Sequence, residues 1–281
     1  LSLHDALPIS PIARAALDDL LAIGGLDGDD IEIEAEDLAL DTRIRATEAA
    51  VAALGAGGYV ASRFIGDSAV RVGTRHVEAS LQSYAHVKFE DPDRAPGPRM
   101  AAAQRAAIAG FHQTGDGRWM YIHPGFAHNT ESLLELFGHP SNEDESRQVV
   151  ASWEAPQLER EIMRRGLCSA MVRDPEEWDA SPMGRILNAR PVVEIIQVGD
   201  ADPRPAGAGP RPLTDYKVLD LTRVLAGPTC ARTLASYGAR VIRISAQDLP
   251  HVPLFVAETG LGKRSAHIDL KSDSGRSKMR E

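Results

Sequence analysis

Residues 216–244, YKVLDLTRVLAGPTCARTLASYGARVIRI, decide the fold that this sequence predicts. The apolar run 218–221 predicts a strand, and Pro228 stands where the first turn of a helix tolerates a missing N–H. Gly238 ends that helix, and residues 241–244 form the next strand. A unit of this size predicts parallel strands joined by a right-handed crossover, and therefore an α/β fold.

The turn before this helix is suited to a ligand. A helix N-terminus presents N–H groups that have no partner within the helix, and these groups attract anions such as phosphate. Gly227 would let a ligand approach the backbone closely. The same pattern is also typical of an α/β unit that binds nothing, so both interpretations stay open.

Two common phosphate motifs are excluded. A Walker A loop requires G-x-x-x-x-G-K-[ST], but Ala257 takes the place of its first glycine and Arg264 that of its hydroxyl residue. A dinucleotide fingerprint requires G-x-G-x-x-G, whereas the turn here reads RVLAGPTC, residues 223–230. Nicotinamide cofactors are therefore not expected.

A basic group follows this unit. Lys263, Arg264 and Lys271 flank a predicted short strand at residues 266–270. Such a group is suited to a diphosphate, but it is equally typical of an ordinary solvated edge.

The composition limits the classes of function. The chain has 281 residues, 43% of them hydrophobic, which favours two domains over one. No apolar run approaches the roughly 20 residues of a membrane span. The 31 basic and 40 acidic side chains give a net charge of −9, which argues against a general nucleic-acid binder. Two cysteines cannot make a disulfide framework, and they favour a cytoplasmic protein.

The N-terminal third predicts amphipathic helices and one short strand. Helical spacing of apolar residues covers residues 13–23 and 47–54, and Gly55 is expected to end the second helix. Ile31 and Ile33 alternate with glutamates, which predicts a half-exposed strand.

The middle of the chain predicts a hairpin followed by helices. Residues 111–123, FHQTGDGRWMYIH, form two strands around a glycine-rich turn. A helix is expected over residues 152–165, with Ser152 as its N-cap and Gly166 as its stop. Residues 191–198, PVVEIIQV, predict a strong strand.

Residues that invite a catalytic or metal interpretation have unfavourable spacing. His123 and His128 are five apart with proline and glycine between them, which suits neither a helical nor a strand pair of metal ligands. The acidic run at residues 27–41 is read as a solvated edge, since it lacks the pattern of a calcium loop. Cys168 is expected to be a small buried thiol, and Cys230 lies in the first turn of the helix predicted between Pro228 and Gly238.

The C-terminal motifs resemble a known family. VLDLTRVLAGP (218–228), YGARVIRI (237–244) and GKRSAHIDLK (262–271) occur in the order and spacing of the first domain of family III CoA-transferases, the CaiB/BaiF type. This resemblance implies a Rossmann-like, parallel-sheet unit that binds coenzyme A in the C-terminal part. It implies no metal.

The resemblance also carries site residues. Val224 and Ala226 are implied to line the CoA site with their backbone, and Lys271 to lie near the phosphates. Where the family usually has an acidic residue followed by a basic one, this chain has Ser245 and Ala246. A CoA contact expected at Ala246 therefore departs from the family pattern.

No catalytic aspartate is assigned. The family uses an aspartate as a nucleophile that forms a mixed anhydride and then a CoA thioester, which is covalent catalysis by a carboxylate. The motif that carries this aspartate is not recognisable here. Asp220 and Asp269 lie in strand motifs and are expected to be structural.

The earlier part of the chain resembles the other end of the same family. Residues 111–123 and 160–195 are similar to the opening hairpin and closing helices of its smaller α+β domain, and residues 70–85 to the helix that enters it. Tail-like sequence thus precedes head-like sequence, which suggests a fragment of a fused tandem protein. The predicted divisions are an adapter artefact at 1–10, the end of a first lobe at 11–110, the smaller domain at 111–200, a linker at 201–212 and the start of a second lobe at 213–281.

The expected activity is transfer of CoA between an acyl-CoA and a carboxylic acid, with this chain alone inactive. The alternatives are a CoA-binding or structural lobe without chemistry and an acyl-CoA racemase of the same family. The resemblance further implies a homodimer for the intact protein.

Overall fold

The computed structural model describes residues 11–29, 31–34, 44–66, 69–88, 107–202 and 209–281. These residues fall into two compact units. The first combines residues 11–88 with those from Val192 to Glu281, and the second spans residues 107–191. The predicted artefact at 1–10 and most of the acidic run lie outside the described residues.

The C-terminal part of the first unit is a three-stranded parallel sheet. Its strand order is β6 (Lys217–Asp220), β7 (Arg240–Ser245) and β8 (Lys263–His267), and helix α9 (Ala226–Ser236) crosses over between β6 and β7. The parallel strand–helix–strand unit predicted from residues 216–244 is confirmed. The other elements are α10 Pro253–Thr259 and α11 Asp273–Arg280.

The third strand of this sheet begins three residues earlier than predicted. Gly262, at φ +76°, turns the chain just before it, and Lys263 pairs with Val241 in the parallel register. The ladder continues as far as the N–H of Ile268, which donates to the Ser245 carbonyl. The register therefore follows from pairing with β7, which the local pattern of residues 266–270 does not reveal.

Helix α9 covers one face of this sheet. Ala231 and Ala235 pack with Val241 in a small core. Gly238 ends the helix at φ +105°, as predicted, and a Cβ there would lie 2.7 Å from the Arg211 Cβ. Glycine is thus required for both its backbone conformation and its closeness to residue 211.

The N-terminal part of the first unit contains the expected helices and a two-stranded parallel sheet. In β1, Ile31 and Ile33 are buried and the glutamates exposed, as predicted. A 3-10 helix at Ser83–His86 ends the described part of this region. The other elements are α1 Pro11–Ala22, β1 Ile31–Glu34, α2 Ala46–Ile65, β2 Val70–Gly73 and α3 Thr74–Leu81.

The prediction that Gly55 ends the second helix is wrong. Helix α2 continues to Ile65 and is capped by Gly66 at φ +82°. Gly55 is buried instead, and a Cβ there would lie 3.4 Å from a methyl of Leu17 on α1. That distance is an ordinary van der Waals contact, so the packing does not require a glycine; the burial of this helix face outweighs the poor helix propensity of Gly55.

The second unit packs helices on one face of an antiparallel sheet. The predicted hairpin is confirmed as β3 and β4, with Gly117 at φ +78° in the turn. Its core includes Met120, Ile122, Leu158 and Ile162. The elements are β3 Gly110–Gln113, β4 Trp119–Ile122, α4 Ala127–Leu136, α5 Glu143–Ala151, α6 Ala155–Arg164, β5 Ser169–Met171, α7 Pro175–Ala180 and α8 Pro182–Asn188.

The start of α6 differs from the prediction. Ser152 does not cap this helix but follows the end of α5, where its hydroxyl donates to the Val149 carbonyl. The helix begins at Ala155, after Glu154. A second helix immediately upstream made Ser152 a C-terminal residue, which spacing alone could not indicate. Gly166, at φ +69°, follows the helix as predicted.

The strand predicted at residues 191–198 is absent. None of the described strands pairs with this segment, and Val192 and Val198 are each 96% exposed. A strand needs a neighbour to satisfy its backbone N–H and C=O groups, and strand-like composition alone does not supply one.

Among the described helices, none combines the length and the apolar character that crossing a membrane requires.

The second unit also buries a histidine. His112 on β3 is 2% exposed, and its Nε2 lies 3.1 Å from the Ile108 carbonyl oxygen. Among the described residues its Nδ1 has no hydrogen-bond partner. Burial lowers the pKa of His112, and the Ile108 carbonyl and the charge of Glu143 offset only part of this effect.

We expect acid to destabilise the second unit through His112. Because the folded-state pKa is below that of the unfolded chain, the neutral form contributes stability above about pH 6.5, and this is lost as pH falls through the folded pKa. All three tryptophans, Trp119, Trp153 and Trp178, lie in this unit, so urea unfolding followed by tryptophan fluorescence reports on it.

A His112→Met variant should lose much less stability than the wild type between pH 7 and pH 5. An exposed His123→Gln variant should keep the wild-type dependence. An unchanged acid loss in His112→Met would contradict this assignment.

Candidate functional site

The carboxyl ends of β6, β7 and β8 meet at one edge of the C-terminal sheet. Ligands of open α/β sheets bind in crevices outside this edge. Three connections form the edge here: residues 221–225, 246–252 and 268–272. The candidate site therefore consists of these three connections.

A buried ion pair holds the sheet beneath this edge. Lys263 Nζ lies 2.8 Å from Asp220 Oδ2, and both side chains are fully buried. Lys263 Nζ also donates to the Pro228 carbonyl at 2.7 Å. The pair joins β6 to β8 across β7, and its lysine also holds the first turn of α9.

Lys263 is therefore not a ligand cation. The predicted basic group of Lys263, Arg264 and Lys271 is not one cluster. Arg264 lies with Lys217 and Arg240 along a different cavity, and Lys271 alone of the three lies at the carboxyl edge. The division has a physical reason, because successive strand residues point to opposite faces of a sheet.

The second oxygen of Asp220 is also used. Asp220 Oδ1 accepts hydrogen bonds from the Thr222 N–H at 3.0 Å and the Thr222 hydroxyl at 2.5 Å. Burial raises the pKa of Asp220, but the hydrogen bonds from Lys263 and Thr222 outweigh it and hold the pKa below its usual value. Asp220 is thus an ionised structural group, as the sequence predicted.

The turn between β6 and α9 has an unusual backbone. Val224 has φ +70°, a left-handed conformation that costs a β-branched residue about 1–2 kcal/mol. Gly227 lies against Thr222, so that an added Cβ would be 2.4 Å from the Thr222 Cβ. Within the described residues no side chain caps the N-terminus of α9, which begins at Ala226.

Two neighbouring clefts lie at this edge. The first is narrow, with a volume of only about 10 Å³, and is lined by Val224, Arg243 and His251, among others. The second, of about 220 Å³, is lined by Ala246 and Lys271, among others. Both clefts share the side chains Arg223, Ser245 and Leu249.

The structure thus gathers the predicted site residues along one edge. Val224 lines the first cleft, Lys271 lines the second, and Ala226 starts α9 two residues after Val224. Sequence reasoning missed Arg223, which lines both clefts. Its signal was a basic residue in the turn directly after the first strand.

Lys271 is well placed to meet a ligand. Its side chain is 82% exposed, and its Nζ lies 3.3 Å from Asp248 Oδ2. Its backbone N–H donates to Asp269 Oδ1 at 2.9 Å. Asp269 therefore orders the turn that carries Lys271, which agrees with its expected structural role.

The exposure of the cysteines and the arrangement of possible metal ligands were tested against their predicted roles by the fold itself. Cys168 is exposed, so the expectation of a buried thiol is wrong, and Cys230 is exposed on α9. Within the ranges that the structure describes, no group of three or more His, Cys, Asp or Glu side chains is arranged to hold a metal ion.

Replacing Lys263 with methionine should strongly destabilise the first unit. The change leaves Asp220 as an unpaired buried charge, at a cost of about 3–5 kcal/mol in the free energy of unfolding. Urea unfolding followed by circular dichroism measures it. An Asp220→Asn/Lys263→Met double variant should lose less than the sum of the two single variants.

The matched control is Lys271→Met at the exposed lysine, which should change the free energy of unfolding by less than about 0.5 kcal/mol. Equal losses in Lys263→Met and Lys271→Met would contradict a structural role for the buried pair.

Comparison with known proteins gives a match to a protein family and matches to individual proteins. Residues 213–281 match CoA-transferase family III. An acetyl-coenzyme A transferase of Hypoxylon pulicicidum is 27% identical over 263 residues, covering 79% of this chain and 44% of that protein. An acyl-CoA transferase of Gibberella moniliformis is 27% identical over 190 residues, covering 62% of this chain and 33% of that protein. The chain therefore spans less than half the length of these curated relatives.

Shorter matches concentrate on a quarter of the chain. The human alpha-methylacyl-CoA racemase is 40% identical over 68 residues, covering 24% of this chain and 17% of that protein. Among solved structures, a CaiB/BaiF family protein from Brucella suis is 31% identical, with a TM-score of 0.21, and covers 25% of this chain and 22% of that chain.

Proposed function

Residues 213–281 belong to CoA-transferase family III, and on this premise we propose that they bind the ADP part of coenzyme A at the carboxyl edge of their sheet. In this proposal the activity is transfer of CoA between an acyl-CoA and a carboxylic acid, and it belongs to an enzyme of full family length, called the parent enzyme below. The relative from Hypoxylon pulicicidum is named an acetyl-coenzyme A transferase, and the relative from Gibberella moniliformis an acyl-CoA transferase.

One observation carries the binding proposal. Arg223, Lys271 and the strained turn at Val224 come together around two adjoining clefts at the edge where α/β sheets bind ligands. Arg223 and Val224 come from the connection at residues 221–225 and Lys271 from that at residues 268–272, so the approach of these two connections is a property of the fold.

The chemistry of these groups is suited to a diphosphate. Arginine offers a fork of N–H donors, lysine offers a compact positive charge, and both form charge-assisted hydrogen bonds to phosphate oxygens. The left-handed turn at Val224 leads directly into the uncapped start of α9, whose backbone N–H groups suit an anion. In this proposal Val224 and Ala226 contact CoA through the backbone, and Lys271 through its ammonium.

The two aspartates of the strand motifs, Asp220 and Asp269, have structural roles. Both oxygens of Asp220 are engaged and its side chain is fully buried. Asp269 accepts from the backbone of Lys271. A nucleophilic aspartate needs a free oxygen that reaches the acyl carbon, so we propose that this chain by itself binds CoA without transferring it.

Two alternatives have specific support. The human racemase matches a quarter of the chain, so a racemase acting on an acyl-CoA is a second candidate for the parent enzyme. A CoA-binding lobe without chemistry is the third, and it is favoured by the structural roles of Asp220 and Asp269. Self-association as a homodimer and a cytoplasmic location remain predictions.

Binding is tested by calorimetry with CoA, ADP and adenosine. We expect CoA and ADP to bind and adenosine to bind much more weakly, because the phosphates meet the cations. Lys271→Met should weaken ADP binding about three- to tenfold, which is the contribution of one exposed charge-assisted contact.

The matched control is Lys278→Met, which removes an exposed lysine of α11 away from the clefts. It should leave ADP binding unchanged. An absence of CoA binding, or an equal loss in both variants, would refute the proposed site.

Activity is tested with the purified 281-residue chain, an acyl-CoA and a free carboxylic acid, by following the new acyl-CoA by mass spectrometry. We expect no transfer above the rate without protein, because the family's nucleophile is not recognisable here. Measurable transfer would show that a carboxylate of this chain acts as that nucleophile.

A further inference from the structure

The connection between β7 and α10, residues 246–252, forms the shared wall of the two clefts. Leu249 lines both of them. A turn orders the connection, since the Leu249 N–H donates to the Ala246 carbonyl at 3.3 Å. We call residues 246–252 the strap.

Two cationic side chains of the site hold this strap. Arg223 Nη2 donates to the Pro250 carbonyl at 2.8 Å, and Lys271 Nζ lies 3.3 Å from the Asp248 carboxylate. These are the same two side chains that line the clefts from the opposite connections. Donors of both side chains therefore serve the strap.

Asp248 is the part of the strap that conflicts with an anionic ligand. It lines the second cleft together with Arg223 and Lys271. Its carboxylate is 67% exposed, so water competes readily for the ion pair. A phosphate at Lys271 would be repelled by this carboxylate, and like charges at such range disfavour binding.

We propose that the strap occupies Arg223 and Lys271 when the site is empty and is released when a diphosphate-bearing ligand takes over these two cations. Asp248 competes with the ligand phosphate for Lys271, because the ion pair between Asp248 and Lys271 must break when the phosphate binds. The inference rests on the proposed function, since it requires a diphosphate at this edge.

Asp248→Asn tests the competition with ADP as the probe. Removing the competing charge should increase the affinity for ADP about threefold. This is within the limit set by an exposed ion pair, whose contribution changes an equilibrium constant by at most about fivefold. The gain should shrink at high salt, which screens exposed charges. Adenosine binding should not change, because adenosine carries no phosphate.

The matched control is Asp273→Asn. Asp273 is an even more exposed acid, paired with Arg276 on α11, and it is not among the residues that line either cleft. Asp273→Asn changes the net charge by the same amount as Asp248→Asn. An equal increase in ADP affinity in the two variants would show an effect of net charge alone and would overturn the proposal.

Hydrogen exchange supplies an independent readout. ADP should speed exchange at the Leu249 amide of the wild type, because release frees the turn. Slower exchange on binding, or an Asp248→Asn affinity equal to or weaker than that of the wild type, would overturn the proposal. A wild type that binds no ADP would instead refute the proposed function itself.

Discussion

The buried pair of Asp220 and Lys263 is the interaction on which the C-terminal lobe depends. Two opposite charges taken out of water are tolerated only when their remaining donors and acceptors are satisfied. Here the carboxylate also accepts two hydrogen bonds from Thr222, and the ammonium also donates to the Pro228 carbonyl. The pair therefore links both outer strands of the sheet to the turn that forms the candidate site.

The geometry of that turn follows from this constraint. Thr222 is held by Asp220, and Gly227 packs against Thr222 at a distance that only glycine permits. Between these anchored points the backbone passes through the left-handed conformation at Val224. Strain of this kind persists where the surrounding contacts over-determine the backbone, and it is frequent at ligand sites. The same contacts that stabilise the lobe thus shape the surface offered to a ligand.

Local sequence predicted elements wherever the determining contacts are close in the chain. The hairpin turn at Gly117 and the helix stops at Gly166 and Gly238 depend on backbone conformations that glycine favours, and all three are observed. The parallel arrangement of β6 and β7 also follows, because a single helix of this length connects them. The sheet edge that carries the candidate site could therefore be anticipated from the first strand and turn.

Other features were decided by tertiary neighbours. Gly55 lies within a helix whose buried face packs into the same core as Leu17, and residues 191–198 are not a strand because none of the described strands pairs with them. Lys263, Arg264 and Lys271 are close in sequence and similar in chemistry, yet one is buried in an ion pair, one lines a separate cavity and one reaches the ligand edge. A sequence specifies the order of strands, turns and helices through short-range backbone preferences. The environment of each charge is set by strand register and by partners distant in the chain, and these exist only once the sheet has formed.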